Sequence, residues 1–328
     1  REPAHRRADL HPGRQGAALL RRLRTEEEGQ GRIATKPFAD RLSALVDERR
    51  SQVCLGLDPD PANLSPDAAP GADLTDVADR AASAVFEHCR WLIETAGPAC
   101  VAVKPQFACF ERLGAPGWRA LEEVCGTAQR AGLLVVGDGK RGDVPVTAKA
   151  YGQALVGETE TPWGTVGGLG VDAFTANPLL GEDEIEVLVE AAKGAGAGIF
   201  LLVRTSNPGA ARLQDARLGD RPLHEELAAL VAEGAPELAG ESGLSGLGAV
   251  VGATAPQHLG RLRELMPDSV FLIPGIGAQG GRPEDLGPAL APGRPASVLV
   301  AAARSIAGAD DPAAAADELR EAVWSLKN

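Results

Sequence analysis

The strongest constraint on what this chain can fold into is a repeat. From residue 53 onward, eight short apolar runs alternate with longer amphipathic stretches: "VCLGLD" (53–58), "ACVAVK" (99–104), "LLVVGD" (133–138), "VDAFTA" (171–176), "GIFLLVRT" (198–205), "LGAVVGA" (247–253), "VFLIPG" (270–275) and "SVLVAA" (297–302). None alternates apolar with polar residues as a strand with one wet face would, so each reads as a parallel strand covered on both sides. Between them, "DVADRAASAVFEHCRWLIETAG" and "GWRALEEVCGTAQRAG" repeat apolar residues at three- and four-residue spacing and close on Gly. The last stretch, "DPAAAADELREAVWSLKN", opens with an Asp cap and a Pro in the first turn. Eight βα units in one row, with no break in composition, predict an α/β fold: a single (β/α)8 TIM barrel over residues 36–328. A doubly wound sheet is the competing architecture. It calls for a glycine-rich fingerprint after the first strand, where this chain has "GLDPDPAN".

The net charge of −12 argues against a nucleic acid or an anionic membrane surface as the main partner. Any anion that binds must therefore be held by a local basic group. No apolar run approaches the ~18 residues of a membrane span, and the start of the chain lacks a secretory apolar segment. Five cysteines, an odd number in no CxxC spacing, fit reduced thiols. A cytoplasmic location is expected. Residues 1–35 are rich in Arg and Glu with one short apolar patch, which predicts a disordered or loosely ordered N-terminal tail. The acidic "TEEE" within it speaks against a targeting peptide, and the opening on Arg1 rather than Met leaves room for a misassigned start.

In a barrel of this kind the active site sits at the C-terminal ends of the strands, so the polar residues that follow each apolar run should converge on one mouth. In order these are Asp58, Lys104, Asp138 with Lys140 and Asp143, Asn177, Thr205 with Ser206, Gln279 and Arg304. The stretch "DGKRGDVPVT" (138–147) packs four formal charges into six residues. A solvated ion pair between Asp138 and Lys140 would contribute only about 0 to 1 kcal/mol and would mean nothing for function. Lys104 changes the balance. It ends the neighbouring strand, where an ammonium is costly to desolvate unless carboxylates stand beside it, and Asp138 between Lys104 and Lys140 supplies that partner.

The histidines His5, His11, His88, His224 and His258 are scattered, with no metal-ligand spacing, and no Walker or dinucleotide loop is present, so neither metal nor cofactor is expected. "SNPGAARLQDARLGDRP" after the fifth run and "GAQGGRPEDLG" after the seventh are candidate lids. The insertion "GETETPWGTVGGLG" (157–170) has no assigned role.

Six motifs, "LGLDPDP", "VAVKPQFACFE", "DGKRGDVPVTAKAY", "LVRTSNPGA", "IPGIGAQGG" and "ARSIAGADDP", each fall after the expected strand. Together they resemble the orotidine 5'-monophosphate decarboxylases in their longer bacterial form, from about residue 36 to the C-terminus. The resemblance implies decarboxylation of orotidine 5'-monophosphate (OMP) to uridine 5'-monophosphate (UMP), the last step of de novo pyrimidine synthesis, with neither metal nor cofactor. It implies a catalytic array of Lys104, Asp138 and Lys140 from one subunit, with Lys140 protonating C6, and Asp143 reaching into the neighbouring subunit's site. Asp58 and, from the partner chain, Thr147 would hold the ribose, Ser206 the pyrimidine edge, and Gln279 and Arg304 the phosphate. A homodimer with shared active sites follows from the same resemblance. One departure stands out: the family commonly carries Gly before the phosphate-binding Arg, and here that position is Ala303. Two competing functions remain. A Mg2+-dependent sugar-phosphate decarboxylase or aldolase of the same barrel family would carry an acid where this chain has Lys104. A catalytically silent phosphate-binding barrel would lack a member of the charged array, and none is missing.

Overall fold

The computed structural model describes residues 36–65 and 68–327, so the tail expected at residues 1–35 lies outside the described residues. Each apolar run becomes a strand: β1 (Val53–Leu57), β2 (Ala102–Pro105), β3 (Leu134–Arg141), β4 (Ala173–Ala176), β5 (Gly198–Arg204), β6 (Ser245–Val251), β7 (Ser269–Pro274) and β8 (Val298–Ala302). All eight are parallel, each pairs with its neighbours in sequence, and β8 returns to pair with β1. Closure disposes of the doubly wound alternative, which would leave two open edges.

The lack of polar alternation along the strands has a direct structural cause. Val53, Leu55 and Leu57 of β1 pack in an outer layer with Leu92, Ile93, Leu121 and Val124 of the surrounding helices. Cys54, between them in sequence, belongs to an inner cluster with Leu134, Val136, Phe200, Val270, Leu272 and Leu299. Successive side chains point to opposite faces of a strand, and here both faces are dry.

The helices that surround the strands include α1 (Phe38–Arg49), α2 (Val77–Ala96), α3 (Gly114–Arg130), α4 (Pro145–Leu155), α5 (Glu182–Ala195) and α6 (Leu223–Gly234). The first of these precedes the repeat and has a separate job. Phe38, Ala39, Leu42 and Val46 of α1 join the inner cluster, and Phe38 meets Phe200 edge to face with ring centroids 5.9 Å apart. Phe38 also lies against Gly198, the first residue of β5, where an added Cβ would come within 2.5 Å of the Phe38 ring. The helix thus closes the floor of the barrel at the N-terminal ends of the strands and leaves the opposite mouth open.

The 157–170 insertion forms an exposed antiparallel hairpin, Glu158–Thr161 with Gly164–Gly167, carrying Trp163 at its turn. The segment after β5 folds as a short helix (Ala210–Gln214) and a two-residue hairpin before α6. No helix among the described residues is long and apolar enough to cross a membrane.

Candidate active site

The charged stretch at the end of β3 is sorted by the strand's own alternation. Gly137 and Gly139 face the short helix Phe107–Glu111, and a Cβ at either would approach the Phe107 ring to 2.9 and 2.7 Å. Only glycine lets that ring close on the back of the strand. Asp138 and Lys140, at the alternate positions, line the pocket at the mouth. Arg141 lies outside it, over the rings of Phe107 and Tyr151, and is ion-paired with Glu111. Two of the four charges therefore serve the pocket and one holds the wall behind it.

Asp138 is the hub of the site. Its Oδ2 accepts from Lys104 Nζ at 2.6 Å and from Gln106 Nε2 at 3.1 Å; its Oδ1 accepts from Lys140 Nζ at 2.6 Å and from Thr175 Oγ1 at 2.9 Å. Its side chain is 5% exposed and that of Lys104 10%, whereas Lys140 is 42% exposed and faces the cavity. Burial alone would push the Asp138 carboxyl up, but the two ammonium groups outweigh it and hold the acid well below the usual carboxylate range. Burial acts on Lys104 in the opposite sense, and the charges of Asp138 and Asp58 outweigh it, holding its pKa above the ordinary value. Lys140 sits at φ 47°, a left-handed backbone rare for a side-chain-bearing residue, with its N–H donating to Thr175 Oγ1 at 2.9 Å. Strain of this kind persists only where surrounding contacts over-determine it.

The cavity holds about 510 Å³ and spans the barrel mouth. Asp58, Lys104, Asp138, Lys140, Thr205, Ser206, Gln279 and Arg304 all line it, so seven of the nine singled-out site residues meet in one place, with Thr205 beside them. Ser206 Oγ donates to Gln279 Oε1 at 2.8 Å and Thr254 Oγ1 donates to the Ser206 carbonyl at 2.8 Å, which joins the loops after β5, β6 and β7. Arg304 is exposed at the start of the short helix Arg304–Ala307, which follows β8, with β1 between that strand and the Lys104 strand β2. Ala303 is accommodated by its neighbour: its Cβ points at Gly56 of β1, where an added Cβ would come within 2.6 Å of it.

The remaining two of the nine, Asp143 and Thr147, do not line the pocket of their own chain. Asp143 Oδ1 accepts from Val144 N at 2.8 Å, and Thr147 lies in the first turn of α4. Asn177, grouped with the mouth by sequence order, is also elsewhere: its N–H donates to the Arg141 carbonyl at 2.8 Å. Strand β4 delivers Thr175 to the pocket instead. The sequence carried a signal for Thr175, as the one hydroxyl inside the apolar run "VDAFTA", and for Gln106, two residues beyond Lys104 in "VKPQ". Neither spacing nor composition indicates that both would bond to Asp138.

The view of the histidines as scattered needs correction. His224, at the start of α6, and His258, after β6, come together with ring centroids 4.6 Å apart, and their ring nitrogens and an Asp215 oxygen lie within 4.8 Å of one another. Chain separation hid this, because the loop after β5 folds back across the barrel wall. Arg204 engages both Asp215 oxygens, at 2.7 and 3.1 Å, and His224 Nδ1 lies 2.8 Å from the Gln214 carbonyl. A cation already satisfies the carboxylate, so the cluster pins the loop that brings Gln214 and Ser206 to the pocket.

Residues 51–319 match the family described as Orotidine 5'-phosphate decarboxylase / HUMPS family. The chain is 40% identical over 252 residues to the orotidine 5'-phosphate decarboxylase of Rhodopirellula baltica, across 76% of this chain and 81% of that one. It is 38% identical over 272 residues to the orotidine 5'-phosphate decarboxylase of Deinococcus radiodurans, across 83% and 89% of the two chains. The solved structure of Leishmania donovani OMP decarboxylase superposes with a TM-score of 0.67 at 34% identity, over 87% of this chain and 98% of that one.

Proposed function

The chain belongs to the Orotidine 5'-phosphate decarboxylase / HUMPS family, and from that membership we propose that it decarboxylates OMP to UMP at the mouth of its barrel. The observation that carries the reading is the Lys104–Asp138–Lys140 array, its carboxylate buried and Lys140 open to the pocket, on the wall of the cavity that Arg304 and Gln279 also line. A nucleotide needs separate groups for its reactive ring and its phosphate, and this pocket is lined both by the charged array from β2 and β3 and by an exposed guanidinium after β8.

Removing CO2 from C6 of a pyrimidine leaves an electron pair in the ring plane, out of reach of the ring carbonyls' π system. The site must lower that barrier by electrostatics, within the roughly 8 to 23 kcal/mol that enzymes supply. Asp138 remains ionised at neutral pH because of its two ammonium partners, so it would face the substrate carboxylate as a second negative charge. At 4 Å and an effective dielectric near 20 the repulsion is about 4 kcal/mol, and it ends as CO2 departs. Lys140, the more accessible of the two ammonium groups, gains attraction to the carbanion and then donates a proton to C6. Lys104, Gln106 and Thr175 keep Asp138 from turning away. Asp58 would hold ribose hydroxyls, Ser206 the pyrimidine edge, and Arg304 with Gln279 the phosphate. The Ser206–Gln279 bond couples ring and phosphate ends, so phosphate binding helps to order the loops after β5 and β7 over the ring.

The Lys104 ammonium, bonded to Asp138, stands where a Mg2+-dependent sugar-phosphate enzyme of this barrel would carry an acid, and a cation at that position weighs against a bound metal. The same reading makes the working unit a homodimer. Its support is that Asp143 and Thr147 do not line their own pocket, while Val144 and Val146 beside them are 54% and 86% exposed, an apolar corner suited to a second copy. The deciding experiment follows the loss of OMP absorbance without added metal. Wild type should turn over and Lys140→Ala should not; normal turnover by the variant would remove Lys140 from its role.

A further inference from the structure

Glu184 is a carboxylate without an evident reason to be buried. It lies in the first turn of α5, after Glu182 and Asp183, where an acid gains from the helix dipole while remaining in water. Its neighbours in that turn do so. Glu184 is instead 0% exposed. Its Oε1 accepts from the Asp143 N–H at 3.1 Å, and its Oε2 is buried with no hydrogen-bond partner among the described residues. Leaving a buried carboxylate oxygen unsatisfied costs stability, so the position is bought for something other than folding. Burial pushes its carboxyl above the ordinary range, against the hydrogen bond from Asp143, and the charges of Asp143 and Asp183 act in the same upward direction.

The contact sits on the corner where the chain leaves β3. Gly142 is wedged there: an added Cβ would lie 2.7 Å from the Asn177 carbonyl and 3.0 Å from Glu184 Oε1. Asn177 N–H holds the Arg141 carbonyl on one side, and Glu184 holds the Asp143 N–H on the other. Backbone groups on either side of Gly142 are thus held by Asn177 after β4 and by α5, which sets where the Asp143 side chain leaves the backbone; its Oδ1 accepts from the Val144 N–H at 2.8 Å. We propose that Glu184 is a positioning residue for decarboxylation: by accepting the Asp143 N–H it orients the Asp143 carboxylate toward the neighbouring subunit's pocket. The inference rests on the reading that Asp143 works across a dimer interface.

Because the effect must appear in the opposite subunit, tagged heterodimers separate positioning from general damage. In a heterodimer of a Lys140→Ala chain with a wild-type chain, the single working pocket belongs to the wild-type chain and uses the other chain's Asp143. Adding Glu184→Ala to the Lys140→Ala chain should lower kcat by roughly tenfold or more with little change in KM, since misplacements near 1 Å carry penalties of that order. Adding Glu184→Ala to the other chain instead should leave activity near the starting level. Glu184→Gln, which keeps an acceptor oxygen, should restore most of the lost rate. Damage that follows the pocket's own chain, no damage in either arrangement, or a Gln variant as slow as Ala each overturns the inference. Replacing Asp143 with Ala on the Lys140→Ala chain is the separate check: full activity there sinks the shared-site reading itself. Should Glu184→Ala yield no folded dimer, Glu184→Met fills the buried space without an acceptor and carries the same comparison.

Discussion

At the scale of single residues, the site is organised around one carboxylate with four donors. Asp138 stabilises the fold as well as facing the pocket, because without it Lys104 would be a buried cation with no hydrogen-bonded carboxylate. Replacing Asp138 with Ala should cost about 3 to 5 kcal/mol in urea unfolding, besides activity. The depressed pKa of Asp138 sets the sign of a pH effect. Its contribution to stability is present above its unfolded value, near pH 4, and is lost as pH falls toward the lower folded value. Wild type should therefore lose more stability than Asp138→Asn between pH 5 and 2, measured as unfolding midpoints; equal losses would show that the pair is not ionised as described. Thr175→Val tests the fourth donor. It removes the hydroxyl shared by Asp138 and the Lys140 N–H, and kcat should fall roughly tenfold to a hundredfold with the fold intact by circular dichroism.

At the scale of elements, two junctions hold the mouth and floor in place. Strands β1 and β8 meet where Gly56 faces Ala303, and this contact shows how the chain accommodates Ala before Arg304: the methyl group packs toward β1. Gly56→Ala would force two Cβ atoms to 2.6 Å. The variant should lose about 1 to 3 kcal/mol of stability and raise KM for OMP more than it lowers kcat, since it displaces the start of the Arg304 turn. At the floor, Phe38→Ala should cost about 3 to 5 kcal/mol in denaturant unfolding, because α1 plugs the inner cluster through that ring. The strands of the barrel were legible in the sequence to within a few residues, because burial on both faces removes polar residues from them. The role of α1 was not, since an amphipathic helix ahead of the repeat carries no mark of the surface it will cover.

At the scale of the whole molecule, the proposed reading has one chain leave its pocket incomplete. Mixing Lys140→Ala with Asp143→Ala subunits places an intact Lys140 and an intact Asp143 around one of the two pockets in each heterodimer. Activity should return on mixing, measured by OMP turnover against each parent alone, and silence in the mixture would count against action in trans. If the proposed phosphate site at Arg304 is right, anion binding in this acidic protein is local, and distant surface charge should matter little for substrate binding.

Strand number, their order and the charged residues at their tips were determined by the sequence alone, because each is written locally, in apolar runs and the residues that end them. Which tips share a hydrogen bond was decided by closure of the barrel. Gln106 follows β2 while Asp138 and Thr175 lie on β3 and β4, Ala303 and Gly56 are far apart in the chain, and Glu184 and Asp143 belong to a helix and to the turn after β3. Their contacts depend on register and on which way each side chain faces, and these are set only when all eight strands and their covering helices pack at once.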